Sequence, residues 1–309
     1  MAPRVLVVGT RGSRLALRQT ELIVEAFRAY HPELRLDVRT IRTEGDRRAS
    51  APLAQIGGQG VFVKEIEAAL ARREIDLAVH SLKDLPAELT PGLTIAAIPE
   101  RGDPRDALVS RAGATLASLP PGASIGTGSA RRAVQLRALR PDVEPIDVRG
   151  NVDTRVRKVD EGEVDAIVIA AAGLDRLGLL DRASEVFSPE AMLPAVGQGA
   201  LAVEARDDDA EALEILATID DRPSRLACEA ERAFLRRLGG GCMLPFGALA
   251  TVDGETLAIR GFIADATGER LLRGEERGKA NDAETIGGRL ADRVLAQGAA
   301  AFVEAAEAG

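Results

Sequence analysis

The sequence predicts two similar α/β domains followed by a small α+β domain. In the first two thirds of the chain, strand-like and helix-like segments alternate, which is typical of parallel sheets. Two pairs of segments also repeat: "VVGTRGSRLAL" resembles "SIGTGSARRAV", and "REIDLAVHS" resembles "GEVDAIVIA". From about residue 222 a helix, three alternating segments and a closing helix replace this pattern.

The first domain is predicted to begin with a strand at 4–8 that leads into a helix at 14–30, where apolar residues recur at helical spacing. The segment 43–60 is polar, glycine-rich and too long for an ordinary connection. Its composition leaves open a lid over a binding site and a disordered loop. The other predicted elements are a strand at 34–41, a helix at 61–73 and a strand at 75–81.

The second domain repeats this scheme. Its predicted elements are a strand, glycine turn and helix at 123–139, a strand at 144–148, a helix at 151–162, and a strand leading into a helix at 164–178. The segment 196–206 is predicted as a strand that returns to the first domain. We therefore expect domains at 1–99 plus 197–218, at 100–196 and at 219–309, with a ligand cleft between the first two.

The third domain is predicted to open with a helix that has Pro223 in its first turn. The turns "VDGE" and "ATGE" then separate three antiparallel strands. One closing helix is predicted over "AETIGGRLADRVLAQGAAAFV".

Composition and charge argue against several classes of protein. The formal net charge of −8 and the pI near 5.1 disfavour a general nucleic-acid binder. We expect no membrane span and no secretory signal, because the chain lacks a long apolar run and a signal-peptide pattern. Two cysteines make no disulfide framework, and no Cys/His cluster has metal-ligand spacing. A reduced, cytoplasmic protein without a metal is expected.

Six arginines lie at or just after the predicted ends of strands. A single arginine is usually a solvated surface charge. At the strand ends of open α/β sheets, however, guanidiniums and free helix N-terminal amides line the crevice and pair with carboxylates or phosphates. Their clustering in an acidic chain predicts a site for a multiply anionic ligand. These residues are Arg11, Arg131, Arg132, Arg149, Arg155 and Arg176.

Two further segments carry reactive groups. In "HSLKDLP", Lys83 and Asp84 follow a strand end, where they could handle protons or form a surface ion pair; the local pattern alone favours the ion pair, and His80 is expected to be structural. In "LRRLGGGCMLPFG", Cys242 follows three glycines. This pattern leaves open a nucleophilic or covalently modified thiol and a plain glycine cap. Cys228, within a helix, is expected to be inert and partly buried.

Nine segments occur in order along nearly the whole chain: "GTRGSRLAL", "GGQGVFVKE", "DLAVHSLKDLP", "RGDPRDALVS", "GTGSARR", "DVRGNVDTR", "AAGLDRLG", "PAVGQGALAVE" and "GGGCMLPFGA". Together they resemble the porphobilinogen deaminase (hydroxymethylbilane synthase) family. The resemblance implies two domains like type II periplasmic binding proteins and a third α+β domain. It also implies a monomer.

The resemblance further implies a transferase that joins four porphobilinogen molecules head to tail, releases four ammonia molecules and yields linear hydroxymethylbilane. A dipyrromethane cofactor would be held by a thioether to the cysteine that matches Cys242. Each porphobilinogen carries an acetate and a propionate, so six linked rings would carry twelve carboxylates. Burying them requires cationic partners.

The resemblance also implies roles for the residues of this chain that match functional positions of the family. Asp84 matches the catalytic carboxylate, which would stabilise positive charge on pyrrole nitrogens and move protons. All six arginines match positions that bind cofactor or substrate carboxylates. The positions implied to assist them are Ser13, Lys83, Thr127 and Ser129.

Some positions depart from the family pattern. Gln55 and Gln59 stand where lysines are common, and Met243 and Leu244 follow the cysteine where a Gln-Val pair is common. Two other functions remain open on the residues alone. A non-catalytic two-domain anion-binding protein would explain the arginines but not the third domain or the cysteine. A cysteine hydrolase would have His80 as its one plausible base.

Overall fold

A computed structural model describes residues 5–47, 63–239, 244–265 and 267–307. Its contacts divide the chain into two compact units. Unit 1 comprises Met1–Arg101 and Ala200–Arg225, and unit 2 comprises Gly102–Gly199 and Leu226–Gly309. The division into three domains with the boundaries expected above stays a proposal.

Unit 1 contains a five-stranded sheet with helices. Numbered along the chain, its strands are β1 (Val5–Arg11), β2 (Arg35–Ile41), β3 (Leu77–Ser81), β4 (Leu93–Ala97) and β10 (Leu201–Arg206). Its helices are α1 (Arg14–Tyr30), α2 (Glu44–Arg47), α3 (Lys64–Ala71) and α7 (Ala210–Ala217). A 3₁₀ turn covers Leu82–Asp84.

The strand order of this sheet is β2-β1-β3-β10-β4. β1 pairs in parallel with β2 and β3, whereas β10 is antiparallel to both β3 and β4. Leu6, Val8, Leu77 and Val79 of the two central parallel strands are buried in one apolar cluster with Phe27 of α1. Because β1 and β3 are parallel, the residues that follow them emerge at the same edge of the sheet.

Unit 2 contains a second five-stranded sheet. Its strands are β5 (Asp106–Ser110), β6 (Ser124–Gly126), β7 (Glu144–Ile146), β8 (Ala166–Ala170) and β9 (Glu185–Val186), and its helices before the small domain are α4 (Ala130–Leu139), α5 (Val152–Asp160) and α6 (Ala171–Arg176). The order is β7-β6-β8-β5-β9.

The two sheets follow one scheme. In unit 1, β1 lies between β2 and β3, and the antiparallel strand β10 separates β3 from the edge strand β4. In unit 2, β6 lies between β7 and β8, and the antiparallel strand β5 separates β8 from the edge strand β9. This shared order confirms the internal repeat and the expected fold of two similar α/β domains.

The central strands of unit 2 are buried on both faces. Leu108 and Val168 pack into one apolar cluster, whereas Val109 and Ile167 pack into another on the opposite face. This alternation follows from the two-residue period of a strand. It explains why these segments are continuously apolar in the sequence.

The small C-terminal part is α+β, as predicted. Its antiparallel sheet has the order β11-β12-β13, with strands β11 (Phe246–Asp253), β12 (Thr256–Ala264) and β13 (Leu271–Lys279). The helix α8 (Arg222–Arg237) precedes it, and α9 (Ala283–Val294) and α10 (Ala300–Glu307) follow it.

Several elements differ from the prediction. The closing helix is interrupted by a wide turn at Leu295–Ala299, where Gly298 has φ +112°. The predicted strand at 196–206 begins only at Leu201, because Gly197 and Gly199 both adopt positive φ and form a turn. The strands β4, β5 and β9 and the helix α7 were not predicted from the sequence.

Only the start of the predicted lid, 43–60, is described, with the short helix α2 within it; residues 48–60, which include Gln55 and Gln59, lie outside the described residues. Within the described ranges, no helix combines the length and the apolarity that a bilayer crossing requires.

Candidate functional site

Four predicted site residues of unit 1 lie at one edge of its sheet. Arg11 is the last residue of β1, and Ser13 caps α1, accepting a hydrogen bond from the Ala16 N–H at 3.2 Å. Lys83 and Asp84 lie in the 3₁₀ turn that directly follows β3. The structure therefore brings the two predicted segments to the carboxyl ends of adjacent parallel strands.

The turn that carries Asp84 is firmly anchored. Leu82 and Leu85 are buried on either side, and the Leu82 N–H donates to the Ala200 carbonyl at 3.0 Å. Lys83 is exposed and Asp84 is half-buried. The two flanking leucines anchor the turn, so that Lys83 and Asp84 between them are accessible, as a binding or catalytic pair requires.

His80 has a structural environment, as expected. It is buried on β3, with its Nε2 3.3 Å from the Glu204 carboxylate of β10. Glu67 of α3 is buried in the same region; burial raises the pKa of its carboxyl, opposed by a hydrogen bond from Thr90 and reinforced by the charge of Glu204. This burial fits a structural role for His80.

In unit 2, Thr127 and Ser129 shape the connection between β6 and α4. The Thr127 hydroxyl accepts a hydrogen bond from the Ser129 N–H at 3.2 Å, and the Ser129 hydroxyl accepts from the Arg132 N–H at 3.5 Å as the helix cap. Both side chains lie at the N-terminus of α4, where free amides favour an anion.

Arg131 and Arg132 share one buried counter-ion, Asp106, at the start of β5. Nη1 of Arg131 lies 2.7 Å from Oδ2 of Asp106, and Nε and Nη2 of Arg132 lie 2.9 and 2.7 Å from Oδ1. Asp106 is fully buried, and each arginine is only 6% exposed. Two guanidiniums and one carboxylate leave an excess positive charge in this interior.

The two guanidiniums and the single carboxylate shift one another's pKa values. Burial raises the pKa of Asp106, but the charges of Arg131 and Arg132 outweigh it and hold the pKa well below 3.8. Burial lowers the pKa of Arg131, opposed by Asp106 and reinforced by Arg132. The group is therefore short of negative charge, and a ligand carboxylate would supply it.

The two arginines differ in how many donors the protein uses. Arg132 donates from Nε, Nη1 and Nη2, including a 3.1 Å bond to the Val168 carbonyl. Among described residues, the side-chain hydrogen bonds of Arg131 come from Nη1, to Asp106 and to the Leu193 carbonyl. Arg131 thus keeps more N–H groups for a ligand, and Arg132 serves more as an anchor.

Arg149 and Arg155 extend the positive region. Nε of Arg149 donates to Asp147 at 2.9 Å, and Nε of Arg155 donates to the Gly150 carbonyl at 2.8 Å. Burial, with the nearby charges of Arg132 and Arg149, lowers the pKa of Arg155 to about 10. It stays protonated at neutral pH, in surroundings where a carboxylate would be favoured.

Arg176 lies at the end of α6. Its Nη2 donates to the Gly199 carbonyl at 2.6 Å, and burial lowers its pKa to about 10, partly offset by Asp175. All five predicted arginines of unit 2 are thus wholly or partly buried. This observation fits a cofactor or substrate that carries several carboxylates.

Cys242 lies outside the described residues, but both flanks of its loop are described. Gly239 has φ +94° and its N–H donates to the Arg236 carbonyl at 3.1 Å, so it ends α8 as the glycine cap considered above. On the other side, the Ala248 N–H donates to the Pro194 carbonyl at 3.1 Å. A Cβ on Gly247 would lie 3.1 Å from Cδ of Arg131. Gly247, at the start of β11, therefore lies beside Arg131.

Sequence reasoning missed three buried polar residues of this region: Asp106, Gln198 and Glu231. The first two lie in "RGDPRDALVS" and "PAVGQGALAVE", segments used above only for their resemblance. A polar residue within a strongly apolar strand context was the available signal. Cys228, expected to be partly buried, is fully buried.

The fold and site define a two-domain α/β protein, with an added α+β domain, whose buried guanidiniums suit a multiply anionic ligand. A family model described as "Porphobilinogen deaminase, dipyromethane cofactor binding domain" matches residues 6–214, and its C-terminal domain model matches residues 225–296. The chain belongs to the porphobilinogen deaminase family, which favours the enzyme over the anion-binding protein.

Curated relatives match over the full length. The porphobilinogen deaminase of Roseiflexus sp. (strain RS-1) is 54% identical over 300 residues, covering 97% of this chain and 99% of the relative. That of Desulforudis audaxviator is 51% identical over 306 residues, covering 99% of both.

Solved structures give weaker matches. The periplasmic aliphatic sulphonate binding protein of Escherichia coli is 17% identical at a TM-score of 0.40, covering 76% of this chain and 70% of that one. The VFT2 domain of Bordetella pertussis BvgS, a double mutant, is 15% identical at a TM-score of 0.40, covering 70% and 86%.

Proposed function

We propose that this protein catalyses the head-to-tail condensation of four porphobilinogen molecules to linear hydroxymethylbilane, with release of four ammonia molecules, in tetrapyrrole biosynthesis. The observation that carries the proposal is the group of buried arginines in unit 2 of a chain from this family. Their positive charge exceeds that of the described carboxylates bonded to them.

The arginines have a binding role in this proposal. Porphobilinogen presents two carboxylates on each ring, and planar guanidiniums pair carboxylates with two parallel hydrogen bonds. Arg131, Arg155 and Arg176 sit where burial makes an uncompensated charge costly. Ligand carboxylates would relieve that cost, so binding and charge compensation are coupled.

The cofactor in this proposal is dipyrromethane, joined through a thioether to Cys242. When bound, it supplies the α-carbon from which the pyrrole chain is extended. Its four carboxylates suit the buried arginines of unit 2, which include the Arg131–Arg132–Asp106 group. The fixed position of Gly247 beside Arg131 would keep the cysteine loop close to these cations.

Asp84 is the proposed catalytic group. Loss of ammonia and attack by a pyrrole carbon both place positive charge on ring nitrogens. A carboxylate held at a strand end can stabilise that charge and accept or return a proton. Lys83 and Arg11, at the same edge of the sheet, are proposed to hold substrate carboxylates, and Ser13 to assist them through its hydroxyl.

Intact mass spectrometry of the purified protein tests the proposal. We expect a stable mass increment equal to two linked pyrrole units, absent in Cys242→Ser. Peptide mapping should place the increment on the peptide that contains Cys242, and Cys228→Ala should retain it. Bare protein mass together with no consumption of porphobilinogen would contradict the proposed function.

A further inference from the structure

The turn Gly197–Gly199 contacts three functional groups of unit 2. The Gly197 N–H donates to Oε2 of Glu231 at 2.7 Å. The Gln198 side chain reaches the Asp106 carboxylate, and the Gly199 carbonyl accepts from Arg176. Three consecutive residues thus meet the counter-ion of Arg131 and Arg132 as well as a third predicted carboxylate-binding arginine.

Gln198 is the central residue of this turn and is 1% exposed. Its Nε2 donates to Oδ1 of Asp106 at 2.9 Å and to the Pro104 carbonyl at 2.7 Å. Its Oε1 accepts from Nη2 of Arg132 at 3.4 Å. The amide therefore contacts both the carboxylate and one guanidinium of the buried group.

These contacts determine which carboxylate oxygen serves which arginine. Oδ1 of Asp106 accepts from Gln198 and from Nε and Nη2 of Arg132, whereas Oδ2 accepts from Nη1 of Arg131. With Oδ1 occupied in this way, the side chain of Arg131 donates to described residues from Nη1 alone. Its Nε and Nη2 are thereby left for a ligand.

The backbone of the turn is specialised for this placement. Gly197 has φ +72° and Gly199 has φ +88°, a region that other residues rarely adopt. A Cβ on Gly199 would lie 2.4 Å from the Gly102 carbonyl oxygen. Only glycine allows this close approach, so the position of Gln198 depends on the two glycines that flank it.

Glu231 of α8 holds the turn from the other side. It is fully buried, and its Oε1 accepts the Ala250 N–H of β11 at 2.9 Å while Oε2 accepts the Gly197 N–H. One carboxylate therefore ties the turn to the strand that follows the cysteine loop.

We propose that Gln198 is a positioning residue that orients Arg132 and Asp106 and so keeps Arg131 available for ligand carboxylates. This inference rests on the proposed function, because it assigns those carboxylates to the cofactor and to porphobilinogen. Gln198 itself touches no reacting atom in this role; it acts through the arginine pair.

Two variants test the role. Gln198→Leu removes the side-chain hydrogen bonds to Asp106 and Arg132 together with the bond to Pro104, and Gln198→Glu keeps the shape but cannot donate to Asp106 from an ionised carboxylate. In both we expect a smaller fraction of cofactor-loaded protein by intact mass, and a KM for porphobilinogen that rises about tenfold, as for losing a hydrogen bond to a charged group. The kcat of the loaded fraction should change much less.

Leu119→Ala is the matched stability control. Leu119 is buried in the apolar cluster of the same unit and makes no side-chain hydrogen bond, so its truncation lowers stability by opening a cavity. We expect a lower Tm but unchanged loading and KM. If Leu119→Ala and the Gln198 variants lost loading in proportion to their Tm, a positioning role would be excluded.

Crystal structures of the wild type and Gln198→Leu separate this inference from the proposed function. Rotated Arg132 and Asp106 side chains in the variant would support positioning. An unchanged arginine pair, or wild-type loading and KM in both Gln198 variants, would overturn it. A wild-type protein with no mass increment and no turnover would instead refute the proposed function, and the crystal structures would still decide the orientation of the pair.

Discussion

Asp106 is the most consequential single carboxylate of unit 2, because two buried guanidiniums depend on it. A buried ion group of this kind adds little stability over an apolar core, but losing one partner is costly since the remaining charges stay buried. Replacing Asp106 leaves two cations without their shared anion. Its stability effect should therefore be large and dependent on pH.

We expect Asp106→Asn to lower the free energy of unfolding by about 3–5 kcal/mol at pH 7, the range for breaking a buried ion pair. The folded-state pKa of Asp106 is held below its ordinary 3.8, so its ionised form stabilises the fold above pH 3.8. That contribution is lost as the pH falls through the folded-state pKa. Urea unfolding at pH 7 and at lower pH measures both effects.

Asp103→Asn is the matched control for Asp106→Asn. Asp103 pairs with Arg105, but both side chains are substantially exposed, at 32% and 44%. Exposed pairs contribute about 0–1 kcal/mol. Equal losses in the two variants would contradict the role given to Asp106.

Asp84→Asn should keep the fold and lose most turnover. The amide has the same shape but cannot stabilise positive charge or take a proton, and general acid–base groups contribute on the order of 10²–10⁴-fold in rate. Steady-state kinetics with porphobilinogen measures kcat, and circular dichroism checks the fold. The exposed Glu88→Gln in the same unit is the control. Near-normal kcat in Asp84→Asn would exclude the catalytic role.

At the scale of elements, the helix α9 packs closely against α8 through one glycine. A Cβ on Gly287 would lie 2.0 Å from the Ala230 carbonyl oxygen, whereas a Cβ on the neighbouring Gly288 meets nothing within 4 Å. The two adjacent glycines therefore differ in their surroundings. The first permits helix contact, and nothing in the structure explains the second.

This difference predicts opposite effects of the same substitution. Gly287→Ala should destabilise the protein by about 1–3 kcal/mol through overpacking. Gly288→Ala should stabilise it by up to about 1 kcal/mol, because alanine favours a helix interior more than glycine does. Thermal unfolding of the two variants measures the effects. Unchanged or raised stability in Gly287→Ala would show that α8 and α9 do not pack as described.

At the scale of the whole molecule, the net charge is negative, but positive charge is buried in unit 2. The chain carries a formal net charge of −8, yet unit 2 buries arginines whose positive charge its described carboxylates only partly compensate. Because this buried positive charge is only partly compensated, the protein should be less stable without a bound ligand than with one. A carboxylate-bearing cofactor that binds the folded state should therefore stabilise the molecule.

We expect the cofactor-loaded wild type to unfold at a higher temperature than apo Cys242→Ser by several degrees, since about 1 kcal/mol shifts the midpoint by about 2–4 °C in chains of this order of size. Calorimetry of both proteins measures the shift. Apo wild type serves as a second reference for the effect of the serine. Equal midpoints for loaded and apo protein would contradict charge compensation by the cofactor.

Most elements were predictable because their signals are local. The helical period of Arg14–Tyr30 and the apolar run of Ala166–Ala170 are visible in short windows. The break at Gly298 and the turn at Gly197–Gly199 were not, because glycine is tolerated within both helix and strand patterns. At Gly199 the backbone lies close to Gly102, a contact that is distant in sequence.

By itself the sequence determined the α/β repeat, the third domain, the resemblance to a family and the arginines at strand ends. It could not determine which arginines are already compensated. Asp106 meets Arg132 across 26 residues of sequence and Gln198 across 92. Charge pairing depends on distance in space, and only the tertiary structure sets that distance. The physical reason is that hydrophobic periodicity is a short-range property, whereas burial and pairing of charge belong to the folded chain.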